Sequence, residues 1–232
     1  MGRKRGRKQQ PEVILTHAIT EKIREYFAGV YGGSSHGDFT RIFSVIEDEA
    51  AKLLATPDFH DDEINLSGLT GLSDAAAESL SKHEGELDLG GLTSLSDAAA
   101  ESLSKHEGEL RLCGLESLLD SPGHVALAEK LGTQHDPNEW SPPTLCLQGL
   151  TELSTAAARK LALHPGELSL DRLTEVSDET TLALGNHCPN LPYFSQLFAT
   201  VELKNRLRKV IRLANAQARA ALATGKSNLT LV

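Results

Sequence analysis

Residues Glu63–Gly85 read EINLSGLTGLSDAAAESLSKHEG, and residues Glu86–Gly108 read ELDLGGLTSLSDAAAESLSKHEG. From Leu72 to Leu87 and from Leu95 to Leu110 the two stretches are identical over 16 residues. The same 23-residue pattern returns as TLCLQGLTELSTAAARKLALHPG over Thr144–Gly166 and as ELSLDRLTEVSDETTLALGNHCP over Glu167–Pro189. Glu109 opens one more copy, ELRLCGLESLLD, which is about 12 residues longer and changes character after Asp120. Self-similarity at a fixed short period decides the fold class before any single residue does.

Each part of the unit has a physical reading. Positions two and four are Ile64/Leu66, Leu87/Leu89, Leu110/Leu112, Leu145/Leu147 and Leu168/Leu170. Their period of two predicts a very short strand with one face inward. Two further apolar positions, such as Leu92 and Leu95, carry the turn back over the core. Ser73, Ser96, Ser154 and Ser177 then suit helix N-caps, followed by Asp74, Asp97 and Asp178 where the helix dipole favours negative charge. The Ala-rich stretch forms helix readily and lets it lie close to the strands. Gly85, Gly108 and Gly166 follow the helix and suit a left-handed C-cap. In the long copy Ser121 can cap and Pro122 suits the first helical position. One unit cannot bury its apolar face alone, so the units are expected to stack.

These segments resemble leucine-rich repeats, specifically the bacterial variants with an LxLxGLTxLSDxAAxxL pattern. The resemblance covers about 127 of the 232 residues. It implies an α/β fold: a leucine-rich-repeat solenoid with parallel short strands and convex-side helices, flanked by helical caps. In the commoner repeat an Asn follows the strand and hydrogen-bonds along the stack. Here that place holds Gly68, Gly91, Gly114, Gly149 and Arg172, so the turn must be satisfied some other way. The resemblance is specific for fold and weak for function, because this fold serves many unrelated partners.

The expected organisation is a basic tail over 1–10, an N-terminal helical cap over 11–62, five repeats over 63–189 and a C-terminal helical cap over 190–232. The third repeat carries an insertion near 132–143. In the first cap Ile19, Ile23, Tyr26, Phe27 and Val30 have helical spacing, and a second helix is expected from about Asp38 to Ala55. Ile46–Leu54 echoes Leu72–Leu80, as a degenerate repeat helix would. In the last cap Leu203, Leu207, Val210, Ala214, Ala218 and Leu222 form one helical face, with basic residues over the rest.

Composition narrows the function classes. Net charge is −9 but segregated: residues 1–10 carry +5, residues 201–232 carry +6, and residues 11–200 carry −20. No apolar run is long enough to span a bilayer, and no apolar segment follows the basic N-terminus as in a signal peptide. Cys113, Cys146 and Cys188 are odd in number and far apart, which points away from a disulfide framework or zinc site and towards reduced thiols in the cytoplasm. No catalytic triad spacing is present. Thr224-Gly225-Lys226-Ser227 has the end of a phosphate-binding loop, but Ala220 stands where its first Gly belongs. An enzyme is not expected, and no cofactor is implied.

The odd strand positions would line one exposed concave face: Glu63 and Asn65, Glu86 and Asp88, Glu109 and Arg111, Thr144 and Gln148, then Glu167, Ser169 and Asp171. Like charges on neighbouring strands repel. Lys82, Lys105 and nearby His residues can offset them, or the face can await a protein with a basic surface. A calcium site would lack any EF-hand or repeats-in-toxin type of loop. His83, His106, His164 and His187 form a second column, which can bind metal or merely satisfy helix ends. Trp140, in the insertion, is a contact candidate if exposed and core packing if not. The alternative function uses the basic ends on nucleic acid or an anionic surface, through Arg3, Lys4, Arg5, Arg7 and Lys8 with Arg206, Arg208, Lys209 and Arg212.

Overall fold

The computed structural model describes residues 12–29, 42–56, 63–134, 144–185 and 197–199, together with 203, 205, 208, 209 and 212. Within these the chain is a mixed α/β fold of short parallel strands and seven bounded helices. In chain order these are β1 (Ile14–Leu15), α1 (His17–Gly29), β2 (Val45–Ile46), α2 (Asp48–Leu54), β3 (Glu63–Asn65), α3 (Asp74–Leu80), β4 (Glu86–Asp88), α4 (Asp97–Leu103) and β5 (Leu110–Arg111). They continue as β6 (Ser117–Leu118), α5 (Pro122–Thr133), β7 (Thr144–Cys146), β8 (Glu152–Leu153), α6 (Thr155–Leu161), β9 (Glu167–Leu170), α7 (Asp178–Gly185) and β10 (Leu197–Ala199).

Equivalent positions of neighbouring units pair in parallel register. Glu63, Ile64 and Asn65 face Glu86, Leu87 and Asp88, and Leu87 and Asp88 face Leu110 and Arg111. Further along, Thr144, Leu145 and Cys146 face Glu167, Leu168 and Ser169. Two-residue pairs β1–β2 and β6–β8 form a second, minor edge later in the unit. Every inward Leu named from the alternation is buried, as are Leu69, Leu92, Leu115, Leu150 and Leu173 in the turns. Opposite them lie Ala76/Ala77, Ala99/Ala100 and Ala157/Ala158, all fully buried, and successive helices pack on one another. Alanine keeps helix and strand close there, and in the last unit Thr180 and Thr181 take the equivalent buried positions.

The helix starts follow the Ser positions. The Ser73, Ser96 and Ser154 hydroxyls accept the Ala76, Ala99 and Ala157 N–H groups at 3.0–3.1 Å, and Ser177 accepts that of Thr180 at 3.0 Å. The next residue does more than complement the helix dipole. Ser73 donates to Asp48 of the preceding helix, and Ser96 donates to Asp74. Asp97 in turn accepts the Gly123 N–H at 2.8 Å and the His124 N–H at 3.3 Å, so it caps α5, whose own Ser121 makes no side-chain cap bond. Thr155 and Thr180 share the equivalent bond at 2.8 Å. In these four pairs, α2–α3, α3–α4, α4–α5 and α6–α7, one helix thus holds the start of the next.

The Gly column replaces the missing Asn. A Cβ on Gly91 would lie 2.2 Å from the Ser67 carbonyl oxygen, one on Gly114 2.4 Å from that of Gly90, and one on Gly149 2.5 Å from that of Gly114. Adjacent turns press backbone on backbone, and the Gly149 N–H donates to the Cys113 carbonyl at 2.8 Å. Asn65 and Asp88 close their own turns by accepting the Ser67 and Gly90 N–H groups.

Several expectations need correction. The helices end at Leu80, Leu103 and Leu161, with right-handed C-caps at Ser81, Ser104 and Ala162, before the Gly residues are reached. Gly108 is needed instead for close approach, since its Cβ would sit 1.9 Å from the Gly85 carbonyl oxygen. The helix expected from about Asp38 to Ala55 begins only at Asp48, because Val45–Ile46 pairs with Ile14–Leu15. Ile19 is exposed, while Ile23 packs on the core and Leu15 is buried in it. The side chains of Tyr26 and Phe27, with Val30, lie outside the described residues. A strand, β10, occurs where only helix was expected, paired parallel with β9. Leu203 is buried, as expected of the last helix's apolar face; the other five positions of that face lie outside the described residues.

The close approach predicts a contrast between two glycines of one sequence type. Gly91→Ala should destabilise the fold by about 1–3 kcal/mol, because backbone must move to admit the methyl. Gly71, with nothing within 4 Å of its Cβ position, should accept Ala with no loss of stability. Urea unfolding midpoints of the two variants check this.

Candidate functional site

The alternation that buries the leucines turns the odd strand positions outward. Among the described residues these carry six carboxylates, Glu63, Glu86, Asp88, Glu109, Glu167 and Asp171, against one cation, Arg111. Glu63 and Glu86 are register partners on adjacent strands. Glu109, Arg111, Thr144, Gln148 and Asp171 are exposed, and Glu63, Asn65, Glu86, Asp88 and Glu167 are half-buried. Ser169 departs from the expected exposed set: it is only 3% exposed, paired with Phe198 of β10 and donating to Asp171 at 2.9 Å.

The offset to the carboxylates comes from within the face. Arg111 reaches Glu86 at 2.6 Å through Nη1 and Glu109 at 3.0 Å through Nε. Lys82 and Lys105, expected to serve that role, instead pair with Glu78 and Glu101 one helical turn away on the opposite side of the unit. Burial pushes the Glu86 carboxyl above the usual carboxylate range; Arg111 opposes this, and the charges of Glu109, Glu63 and Asp88 reinforce it. The arrangement stores unfavourable charge that one guanidinium relieves at two of three positions in the Glu63, Glu86, Glu109 row. At the fourth unit Thr144 donates to Glu167 at 3.2 Å.

The third unit also breaks the main sheet. Among the described residues it falls into β3-β4-β5 and β7-β9-β10. At the seam the Gln134 side-chain amide does the work of a strand: its Oε1 accepts the Leu110 N–H at 3.1 Å and its Nε2 donates to the Leu110 carbonyl at 2.8 Å. Beside this seam lies a feature that sequence spacing hid. Cys113 and Cys146, 33 residues apart, each perturb the other's titration, and both residues are half-buried. The signal in the sequence was their shared outward parity in consecutive units, at positions five and three.

The His column lies on the other side. His83, His106 and His164 are buried, and the first two rings stack with centroids 6.3 Å apart. Their backbone N–H groups, at 3.0–3.1 Å, satisfy the helix-end carbonyls of Leu80, Leu103 and Leu161. His124, not part of the column, bridges units: its Nδ1 accepts the Leu119 N–H and its Nε2–H donates to the Leu95 carbonyl, each at 3.3 Å. Among the described residues no group of three His, Cys, Asp or Glu side chains converges as a metal site.

Of the basic set, Arg208, Lys209 and Arg212 are exposed, and Arg208 donates to Asn205 at 3.2 Å. Arg3, Lys4, Arg5, Arg7, Lys8 and Arg206 lie outside the described residues, as do Trp140, His187 and Cys188. Among the described residues no helix is long and apolar enough to cross a membrane. Comparison with family models, with characterised proteins and with solved structures found no match.

Burial lowers the His106 pKa below its ordinary 6.5, helped by the nearby Lys130 ammonium. The folded state therefore binds the proton less well than the unfolded chain. The stability this gives is present above about pH 6.5 and is lost as pH falls below it. Urea midpoints of the protein should drop across that window, and the drop should be smaller in His106→Leu. An identical pH dependence in the variant would contradict this.

Proposed function

We propose that the chain is a leucine-rich-repeat solenoid acting as a protein–protein interaction scaffold, which takes a partner with a basic surface on the outward face of its strands. The supporting observation is the row of carboxylates repeated at strand spacing with Arg111 as its one cation among the described residues. Strands about 4.8 Å apart set a spacing that lysine or arginine side chains of a partner can follow. Such cations would relieve the repulsion that Arg111 relieves only in part, which favours association with basic surfaces and disfavours acidic ones.

On this reading the protein is not an enzyme and needs no cofactor. Its proposed setting is a bacterial cytoplasm. The rival reading, binding of nucleic acid or an anionic surface through the basic ends, is supported by the exposure of Arg208, Lys209 and Arg212.

The choice of residues matters in the test. Asn65, Asp88 and Asp171 hold turns or neighbouring side chains, so their replacement would damage the fold. Glu109 and Glu167 hold only the exposed Arg111 and Thr144 side chains, so Glu63, Glu109 and Glu167 can be reversed more safely. The combined Glu63→Lys, Glu109→Lys, Glu167→Lys protein should lose at least about tenfold in affinity for the proteins that the parent captures from lysate, an effect of about 1.4 kcal/mol. The equally reversed Glu78→Lys, Glu101→Lys, Glu129→Lys protein, altered on the helices, should keep them. Equal capture by both would overturn the reading. Retention of nucleic acid that is lost on charge reversal at Arg208, Lys209 and Arg212 would favour the rival.

A further inference from the structure

We propose that the stacked His83–His106 pair is a proton-sensitive joint: neutral rings hold the helix sides of the first and second units together, and proton uptake parts them while the strand sides stay closed. The two rings are near-parallel, with planes 16° apart and centroids 6.3 Å apart, and the residues are only 7% and 2% exposed. They come from equivalent places in successive units, just after α3 and just after α4. There their backbone N–H groups satisfy the Leu80 and Leu103 carbonyls at 3.1 Å. Two imidazolium rings at this spacing would repel each other across a buried contact.

Charged groups bear on the pair from two sides. From α5 the Lys130 Nζ donates to the Gly108 carbonyl at 2.8 Å and reaches that of Glu107 at 3.5 Å, which brings an ammonium close to His106. On the other side His83 lines a polar cleft of about 660 Å3 between α3 and α4. In that cleft Glu78 pairs with Lys82 at 3.3 Å and Glu101 with Lys105 at 3.1 Å. Glu84 and Glu107 also line it, and their carboxylates can receive the rings once these carry charge and turn to water.

The direction of the switch follows from where the proton is better held. Burial lowers the His106 pKa; Lys130 and His83 reinforce this, and the backbone of Ser81 and Gly85 opposes it. The parted joint, with its rings in water, binds protons at the ordinary value. Parting is therefore costly above about pH 6.5 and becomes easier as pH falls below it.

The remaining contacts decide how the units move. On the strand side Gly91 rests on the Ser67 carbonyl, and β3 and β4 pair through their backbones. These backbone contacts do not titrate. Parting of the rings thus turns one unit about the other, with the strand side as hinge. Such opening is confined to the helix ends of two units, unlike a general weakening of the fold in acid.

The test is amide hydrogen exchange of the full chain under native conditions at about pH 7.5 and about pH 5.5, corrected for the pH dependence of the chemical step. Protection at Lys82, His83, Lys105 and His106 should fall at least about fivefold at the lower pH, while that of Leu66, Leu87 and Leu89 on the strand side changes less than about twofold. The chain carrying His83→Phe and His106→Phe keeps two stacked rings without the titration and should show no such fall. In the parent, the His106 ring resonances followed by NMR should titrate below pH 6.5 together with the loss of protection. This second measurement decides the matter if the doubly substituted chain does not fold. Equal loss of protection on both sides, unchanged protection, an undiminished fall in the double variant, or titration of the ring at its ordinary value without opening would each overturn the proposal.

Discussion

The structure depends on how closely one unit can approach the next. At Gly91, Gly114 and Gly149 the turn of one unit rests on the carbonyl oxygens of its neighbour, with no room for a Cβ. Everything else in the unit follows from that spacing. The helices present paired alanines because the layer is thin, and leucines at the even strand positions fill what remains. Each buried Leu contributes about 1.5–3 kcal/mol relative to exposure, but only when a neighbouring unit covers it. The Ser–Asp contacts from α2 to α5 then fix the relative height of successive helices on the far side. Backbone contact on one side and shared caps on the other leave little freedom of register.

Repetition also explains where individuality is found. The two neighbouring units 63–85 and 86–108 differ at only four positions, two of them on the outward strand face (Asn65/Asp88 and Ser67/Gly90). The third unit departs further: α5 is longer than its neighbours, the main sheet is interrupted beside it, and Gln134 fills the gap. Arg111, Cys113 and Gln134 all belong to this one unit, and Cys146 faces it. An ion pair spanning two strands and a pair of thiols both sit beside the seam, where the local structure is least dictated by the repeat.

Much of this was legible in the residues. The period of two in Ile64/Leu66 and its equivalents located the strands and their buried side. The Ser positions located four helix starts, and the degenerate echo at Ile46–Leu54 located α2. What escaped had physical causes. The Asp after each capping Ser was read as a charge at a helix end, because a contact with the next unit is invisible until the units are stacked. Gly108 was read by its place after a helix, although it is the space beside it that excludes other residues. Lys82 and Lys105 were assigned to the Glu row, but an i, i+4 carboxylate on the same helix is closer than any strand. Cys113 and Cys146 looked unrelated because an insertion had shifted their spacing. β10 lacks the Leu-x-Leu-x-Gly signature, so nothing in its sequence marked it as a strand.

The most direct test of the stacked arrangement is removal of one whole unit. Excising Glu86–Gly108 joins Gly85 to Glu109, and the repeat restores every junction: Glu63 takes the place of Glu86 beside Arg111, and Asp74 that of Asp97 before Gly123. Urea unfolding followed by circular dichroism should show one cooperative transition. Its midpoint should be lower and its denaturant slope smaller, in proportion to the surface one unit buries. Loss of the cooperative transition, or an unchanged slope, would contradict stacking of equivalent units as the basis of the fold.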